Sequence, residues 1–217
     1  YRFYKTCRYF LHYGTVKNPC NDISGFSYWQ ISDWSYEYAP SSHRYHGGFG
    51  LFTRDNIPKA AYGALQLLNM AKGKILLQNP GCFVLRSEDD DFMIYLYHYC
   101  PYDILYRYRH VRDMDFRNRY GVFETKRDIN YYVMLEGLAE GVYQKKEYRI
   151  GPENGSSCDA WMRMGAPELM DGLEYNYVLA ASAPECCTCM VEAEGEYVVQ
   201  SLLKPHEIQL IVLHKVK

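Results

Sequence analysis

After Gly73 the chain repeats one pattern: short runs of β-branched and aromatic residues alternate with turn-forming residues. Such runs predict strands. Seven are found, at Lys74–Leu77, Cys82–Ser87, Phe92–Tyr99, Ile129–Leu135, Val142–Ile150, Tyr197–Leu202 and Glu207–His214. Asn79-Pro80-Gly81 and the acidic run Glu88–Asp91 have the composition of tight turns. Many short strands joined by turns are typical of an antiparallel β-sandwich, which we expect here.

The residues before Gly73 predict a mixture of helix, strand and loop rather than a series of strands. Helical spacing of apolar residues predicts a helix over Tyr1–Tyr13, and Ile23–Ile31 has the aromatic, mostly apolar composition of a buried parallel strand. A long loop from Asp33 to Asn56 follows. Pro58 then opens a predicted helix through Ala71, because proline suits the first helical turn.

Charge and hydropathy exclude two classes of partner. The net charge is −2 and the pI about 6.4, so no basic surface favours nucleic acid. The longest apolar runs, such as Ile208–Leu213, are too short to cross a bilayer, so we expect no membrane partner. The chain begins at Tyr1 without an initiator methionine, and we expect a piece of a longer protein.

Eight cysteines are present, and three of them cluster at Cys186, Cys187 and Cys189. Several of the others lie in strand-like runs, where cysteine acts as a small buried hydrophobe. We therefore expect a cytoplasmic, reducing location. The cluster lacks the second pair of ligands that a structural zinc site requires, so we expect no metal there and a flexible connection carrying free thiols.

One ordered set of motifs occupies residues 26–64. In sequence it is Tyr28-Trp29-Gln30-Ile31-Ser32-Asp33, Tyr36-Glu37, His46-Gly47-Gly48-Phe49-Gly50-Leu51 and Ile57-Pro58-Lys59. In this order the set resembles glycoside hydrolase family 39, the β-xylosidase and α-iduronidase group. The resemblance implies that residues 1–73 are the C-terminal βα portion of a glycosidase barrel and that residues 74–217 are an accessory β-sandwich. The expected fold class is mixed and mainly β: a C-terminal antiparallel β-sandwich preceded by a remnant of a (β/α)8 TIM barrel.

The same resemblance implies retaining hydrolysis of β-xylosides by the parent protein, with no cofactor. Retention needs two carboxyl groups about 5 Å apart. In the family both are glutamates on earlier barrel strands, which by this alignment precede Tyr1. The chain then contains no catalytic residue and is expected to be inactive alone. The parent would bind xylose-type sugars or xylo-oligosaccharides, and this chain would associate with the missing barrel portion or form a homo-oligomer.

Eight residues are assigned by the resemblance. Trp29 is expected as the aromatic floor under the sugar, against the alternative of a buried barrel-core tryptophan. Glu37 and Tyr36 are expected to contact sugar hydroxyls, although Glu37 also suits a solvated loop acid. The remaining five are expected to structure the loop: Asp33, His46, Gly47, Gly48 and Phe49. No metal ligand is expected.

Tyr36 departs from the family pattern, because it replaces the first of two acidic residues and removes a charged acceptor. This leaves an alternative open: a non-catalytic sugar-sensing or carbohydrate-binding module, for example from an AraC-type transcription regulator fused to such a barrel. A structural sandwich that only braces a barrel is a third reading. In the sandwich, Tyr95, Tyr97 and Tyr99 share one strand face, and packing is favoured there over an exposed glycan-binding stripe.

Overall fold

The computed structural model describes residues 27–34, 44–108, 116–124 and 126–216. The predicted helix over Tyr1–Tyr13 lies outside these ranges. Three α-helices are described: α1 (Ala60–Met70), α2 (Ser157–Arg163) and α3 (Gly172–Ala180). None of the described helices is long and apolar enough to span a membrane.

The described residues contain eight strands in two antiparallel sheets. The strands are β1 (Lys74–Asn79), β2 (Cys82–Arg86), β3 (Phe92–Tyr97), β4 (Ile129–Glu136), β5 (Gly141–Ile150), β6 (Glu185–Ala193), β7 (Glu196–Leu203) and β8 (Ile208–Lys215). Six strands form one sheet in the order β1-β2-β3-β8-β5-β6, and β4 pairs with β7 in a second sheet. The mixed, mainly β fold with antiparallel strands is therefore confirmed.

Strands β2, β3 and β8 are buried on both faces, which explains why their sequences are almost continuously apolar. In β3, Phe92, Ile94 and Leu96 face the core shared with β4 and β7. Met93 and Tyr95, which alternate with them, face the opposite side of the sheet. Successive side chains of a strand point to opposite faces, so one strand supplies both cores.

Helix α1 covers the second face of the large sheet. Ala64, Leu67 and Leu68 recur at helical spacing and pack with Tyr95 and other side chains of that face. Tyr95 is fully buried and stacks on the Phe83 ring with centroids 4.8 Å apart. The expected packing of the tyrosine stripe is thus confirmed for Tyr95.

Two expectations about individual segments are wrong. Cys186, Cys187 and Cys189 lie in strand β6 rather than in a flexible connection, and their thiols are free. Residues 27–31, predicted as the end of a strand, form no strand among the described residues; an isolated parallel bridge joins the next residue, Ser32, to Phe52. A strand requires a ladder of neighbouring main-chain partners, whereas this bridge pairs a single residue with a loop.

A buried histidine forms the turn that leads into β8. His206 has a positive φ of 68° and its amide donates to the His98 carbonyl at 3.2 Å. Its ring lies 4.9 Å from the Tyr120 ring and 4.6 Å from the Phe123 ring. Burial, aided by the neighbouring His98, lowers the pKa of His206 to about 4.

This buried ring predicts a pH dependence of stability. The unfolded chain binds the proton near the ordinary pKa of about 6.5 and the folded chain only near 4, so stability is full above about pH 6.5 and falls as the pH is lowered toward 4. The loss attributable to His206 reaches about 3 kcal/mol at pH 4.

Urea unfolding at several pH values, with His206→Asn as the comparison, measures it. Asparagine tolerates the positive φ and does not titrate. An unchanged pH slope in the variant would contradict the assignment.

Candidate functional site

The segment that carries Trp29 (residues 27–34, the tryptophan segment) is held by backbone hydrogen bonds to a glycine-rich loop. The amides of Leu51 and Phe52 donate to the carbonyls of Gln30 and Ile31 at 3.1 and 3.0 Å, and the Asp33 amide donates to the Phe52 carbonyl at 3.0 Å. This short parallel contact fixes the two stretches side by side. It places the loop motif His46–Leu51 directly against the tryptophan segment.

Asp33 is the polar centre of this contact. Its carboxylate is fully buried; Oδ1 accepts the Gly50 amide at 2.8 Å, and Oδ2 lies 2.5 Å from Lys59 Nζ. The same ammonium group donates to the Gly48 carbonyl at 3.3 Å. A buried charge is tolerated only when it is paired and hydrogen-bonded, and both conditions hold here. One aspartate therefore joins three parts of the chain: the tryptophan segment, the loop and Lys59, the residue directly before α1.

Three glycines make this approach possible. A Cβ on Gly50 would overlap the Asp33 backbone nitrogen and the Ser32 carbonyl carbon. A Cβ on Gly48 would overlap Asp33 Oδ1 and the His46 ring. Gly47 has a φ of +78°, which glycine adopts at little cost. The glycine-rich sequence thus lets the loop reverse and close on the carboxylate.

His46 borders the same carboxylate, with Nε2 3.9 Å from Asp33 Oδ2. Burial lowers the pKa of His46, an effect that outweighs the opposing charge of Asp33 and is reinforced by Lys59 and Arg54. The imidazole is therefore neutral at neutral pH. It fills space beside the ion pair and adds no second positive charge. Phe49, the other aromatic of the motif, is half-buried.

A second cluster braces the loop from the side of α2 and α3. The buried rings of Tyr45 and Trp161 lie 5.2 Å apart, and both pack with Ile57. Ser157 Oγ donates to the Pro58 carbonyl at 2.6 Å, and the Tyr175 hydroxyl donates to the Asp55 carbonyl at 2.9 Å. The loop is consequently fixed at both ends.

Three apolar side chains of the tryptophan segment remain exposed. Trp29 is 66% exposed, Ile31 72% and Trp34 67%. The other two residues predicted to bind substrate, Tyr36 and Glu37, lie outside the described residues.

The described residues of this arrangement offer groups suited to binding and positioning. Asp33 is fully buried and paired with Lys59, so it acts as a structural anchor. Within residues 27–34, 44–108, 116–124 and 126–216, no group of three or more His, Cys, Asp or Glu side chains is placed to hold a metal ion. What the site presents is an aromatic surface on a rigidly held backbone.

The roles of Lys59, Gly50 and Tyr45 were not predicted from the sequence. A signal for Lys59 was available: a lysine at the N-cap of a helix opposes the helix dipole, so it needs a specific anionic partner. Tyr45 carried no comparable signal, since 23 tyrosines are present and its burial depends on Trp161, far along the chain.

Comparison with known proteins decides the family. The model of glycosyl hydrolases family 39 matches residues 13–197. The chain belongs to family 39. The match includes the tryptophan segment, the glycine-rich loop and most of the sandwich.

Individual relatives fall into two groups. A β-xylosidase of Caldicellulosiruptor saccharolyticus is 25% identical over 164 residues, which cover 72% of this chain and 29% of the relative. An uncharacterized HTH-type transcriptional regulator of Staphylococcus aureus is 24% identical over 166 residues, 75% of this chain and 20% of the relative. The crystal structure of a monomeric β-xylosidase from Caulobacter crescentus superposes with a TM-score of 0.70 at 25% identity, covering 88% of this chain and 38% of that one. The chain thus spans less than a third of either curated relative's length.

The close approach at Gly50 generates a testable prediction. Gly50→Ala should destabilise the loop by about 2 kcal/mol or more, because the new methyl group meets backbone atoms of Ser32 and Asp33. Gly172→Ala is the matched control, since a Cβ there meets nothing within 4 Å, and its effect should stay within about 1 kcal/mol. Hydrogen exchange of the Leu51 and Phe52 amides reports the effect. Equal protection in the two variants would contradict the described packing.

Proposed function

We propose that this chain is the C-terminal portion of a β-xylosidase-type glycoside hydrolase that cleaves β-xylosides with retention. The observation that carries the proposal is the family 39 match over residues 13–197, which includes a xylosidase motif set in which Trp29 is exposed. The similarity to two β-xylosidases supports it.

In this proposal the chain supplies one wall of the sugar site. An exposed indole offers a flat apolar face to the C–H groups of a pyranose ring, while the Asp33–Lys59 pair keeps the backbone beneath it in place. Tyr36 and Glu37 would contact sugar hydroxyls. The acid/base and nucleophile glutamates would belong to the remainder of the parent, since the chain spans only 29% of the xylosidase it matches.

The partners follow from that division. The parent would bind xylose-type sugars or xylo-oligosaccharides, and this chain would associate with the rest of the barrel or with a second copy. Neither nucleic acid nor membrane is proposed as a partner of this chain, and no cofactor is proposed. We place the protein in the cytoplasm because six described cysteines are free thiols.

A second candidate function is non-catalytic sugar sensing within a transcription regulator. Two observations favour it: the match to an HTH-type regulator over 75% of this chain, and the phenol of Tyr36 in place of a carboxylate. A sensor would keep Trp29 as the aromatic floor under the sugar but would not hydrolyse the sugar. The two candidates therefore share Trp29 and differ in the carboxyl pair.

The aromatic floor is testable in the full-length parent. Trp29→Ala should lower kcat/KM for an aryl β-xyloside at least about tenfold, which corresponds to about 1.4 kcal/mol of lost transition-state binding. Trp34→Ala is the matched control, because it removes an equally exposed indole five positions away. Indistinguishable kinetics for the two variants would remove Trp29 from the site.

The division of the site is tested by comparing the chain with its parent. The purified 217-residue chain should release no nitrophenol from aryl β-xyloside above a blank, whereas the parent should turn the substrate over. Measurable turnover by the chain alone would overturn the proposed location of the carboxyl pair. A parent that binds xylose without turnover would favour the sensor.

A further inference from the structure

Strand β6 forms an edge of the six-stranded sheet, and no described strand pairs with its outer side. The side chains from Glu185 through Met190 are all exposed. Its ladder with β5 is unbroken over nine residue pairs, from Gly141 opposite Ala193 to Arg149 opposite Glu185. β6 thus presents a long, regular row of main-chain donors and acceptors.

Proteins normally protect such edges with lysine, proline, a bulge or a very short strand. The sequence Glu185–Ala193 contains no lysine, arginine, proline or glycine. The opposite edge of the same sheet is different: β1 begins at Lys74 and its ladder is irregular between Ile75 and Leu77. Among the described residues, one edge of this sheet is protected and the other is unpaired.

We propose that β6 pairs antiparallel with β6 of a second copy, about a two-fold axis at Thr188. Antiparallel pairing of one edge with its own copy requires a two-fold axis perpendicular to the sheet, so one residue lies opposite itself. Residues equally spaced on either side then lie opposite each other, on the same sheet face. Cys187 of each copy faces Cys189 of the other, and Cys186 faces Met190.

The positions of the glutamates select this register. Centring the axis on Cys187 places Glu185 opposite Cys189. Centring it on Cys189 or Met190 places Glu192 or Glu194 opposite Cys186. Each of these registers desolvates a carboxylate against a sulfur atom without a partner. The Thr188-centred register places sulfur against sulfur on both faces, and it sets Glu185 opposite Val191 and Glu192 opposite Pro184 rather than opposite a thiol.

The cross-strand thiols allow the pairing to be trapped. Diamide oxidises two thiols to one disulfide: each thiol loses a hydrogen, a sulfur–sulfur bond forms, and the N=N bond of diamide takes up both hydrogens. The 217-residue chain treated with diamide should yield a disulfide-linked dimer on a non-reducing gel. Cys186→Ser should leave that dimer intact, and the double variant C187S/C189S defines background from the other cysteines.

Mixing two single variants tests the register. Cys187→Ser alone and Cys189→Ser alone should each give only background, because each removes one member of both facing pairs. Their mixture should restore the dimer, since the remaining Cys189 of one variant faces the remaining Cys187 of the other. Crosslinking of either single variant with itself, or none in the mixture, would overturn the Thr188-centred pairing.

A reduced sample tests the interface without oxidation. Light scattering over a concentration series should show dimer formation by the wild-type chain. Thr188→Lys should weaken it, because two ammonium groups would then face each other across the axis. Gln200→Lys, at an exposed position of β7, adds the same charge away from this edge and should leave the dimer unchanged. A monomer at all concentrations, or equal weakening by both lysines, would overturn the interface.

Discussion

The buried Asp33 carboxylate is the interaction on which the tryptophan segment and the glycine-rich loop depend. It lies where three separate stretches meet: the tryptophan segment, the glycine-rich loop and the start of α1. Taking a carboxylate out of water costs several kcal/mol unless its partners are in place. The cost is offset only in the arrangement that brings Gly50 and Lys59 to it together. The position of the exposed indoles is thereby coupled to a buried ion pair.

Much of the sandwich was predictable because its physical cause is local. Seven of the eight strands follow from runs of β-branched and aromatic residues between turns, and the acidic turn before β3 follows from composition. β6 was not predicted because its side chains, exposed from Glu185 to Met190, do not alternate between apolar and polar residues as those of a half-buried strand do. Helix α2 was also missed, although Ser156 and Asp159 carry an N-terminal capping signal, and the Ser156 hydroxyl does accept the Asp159 amide.

The candidate site was less predictable, for a different reason. The motif set located Asp33 and the glycines, because their spacing in sequence is characteristic of the family. The pairing of Asp33 with Lys59 and the packing of Tyr45 on Trp161 are long-range events. The lysine before α1 signals the need for an anion but does not identify Asp33, and Tyr45 carries no local signal for Trp161. Such contacts become visible only in three dimensions. For Trp29 the family motif favoured an aromatic floor over a buried core residue, and the exposure of its ring becomes visible only in three dimensions.

Helix α1 joins the two halves of the chain. Its first residue follows Lys59, while Ala64, Leu67 and Leu68 complete a core with Tyr95 and Leu210 of the large sheet. Phe52, at the end of the glycine-rich loop, packs on Tyr62 of α1 with ring centroids 4.7 Å apart. The loop and the sandwich therefore contact the same helix, and unfolding of either one removes contacts from it. A boundary drawn at Gly73 for expression would remove α1 and leave Phe83, Tyr95 and Leu210 open to water. The sandwich and the preceding helix are best handled as one cooperative unit.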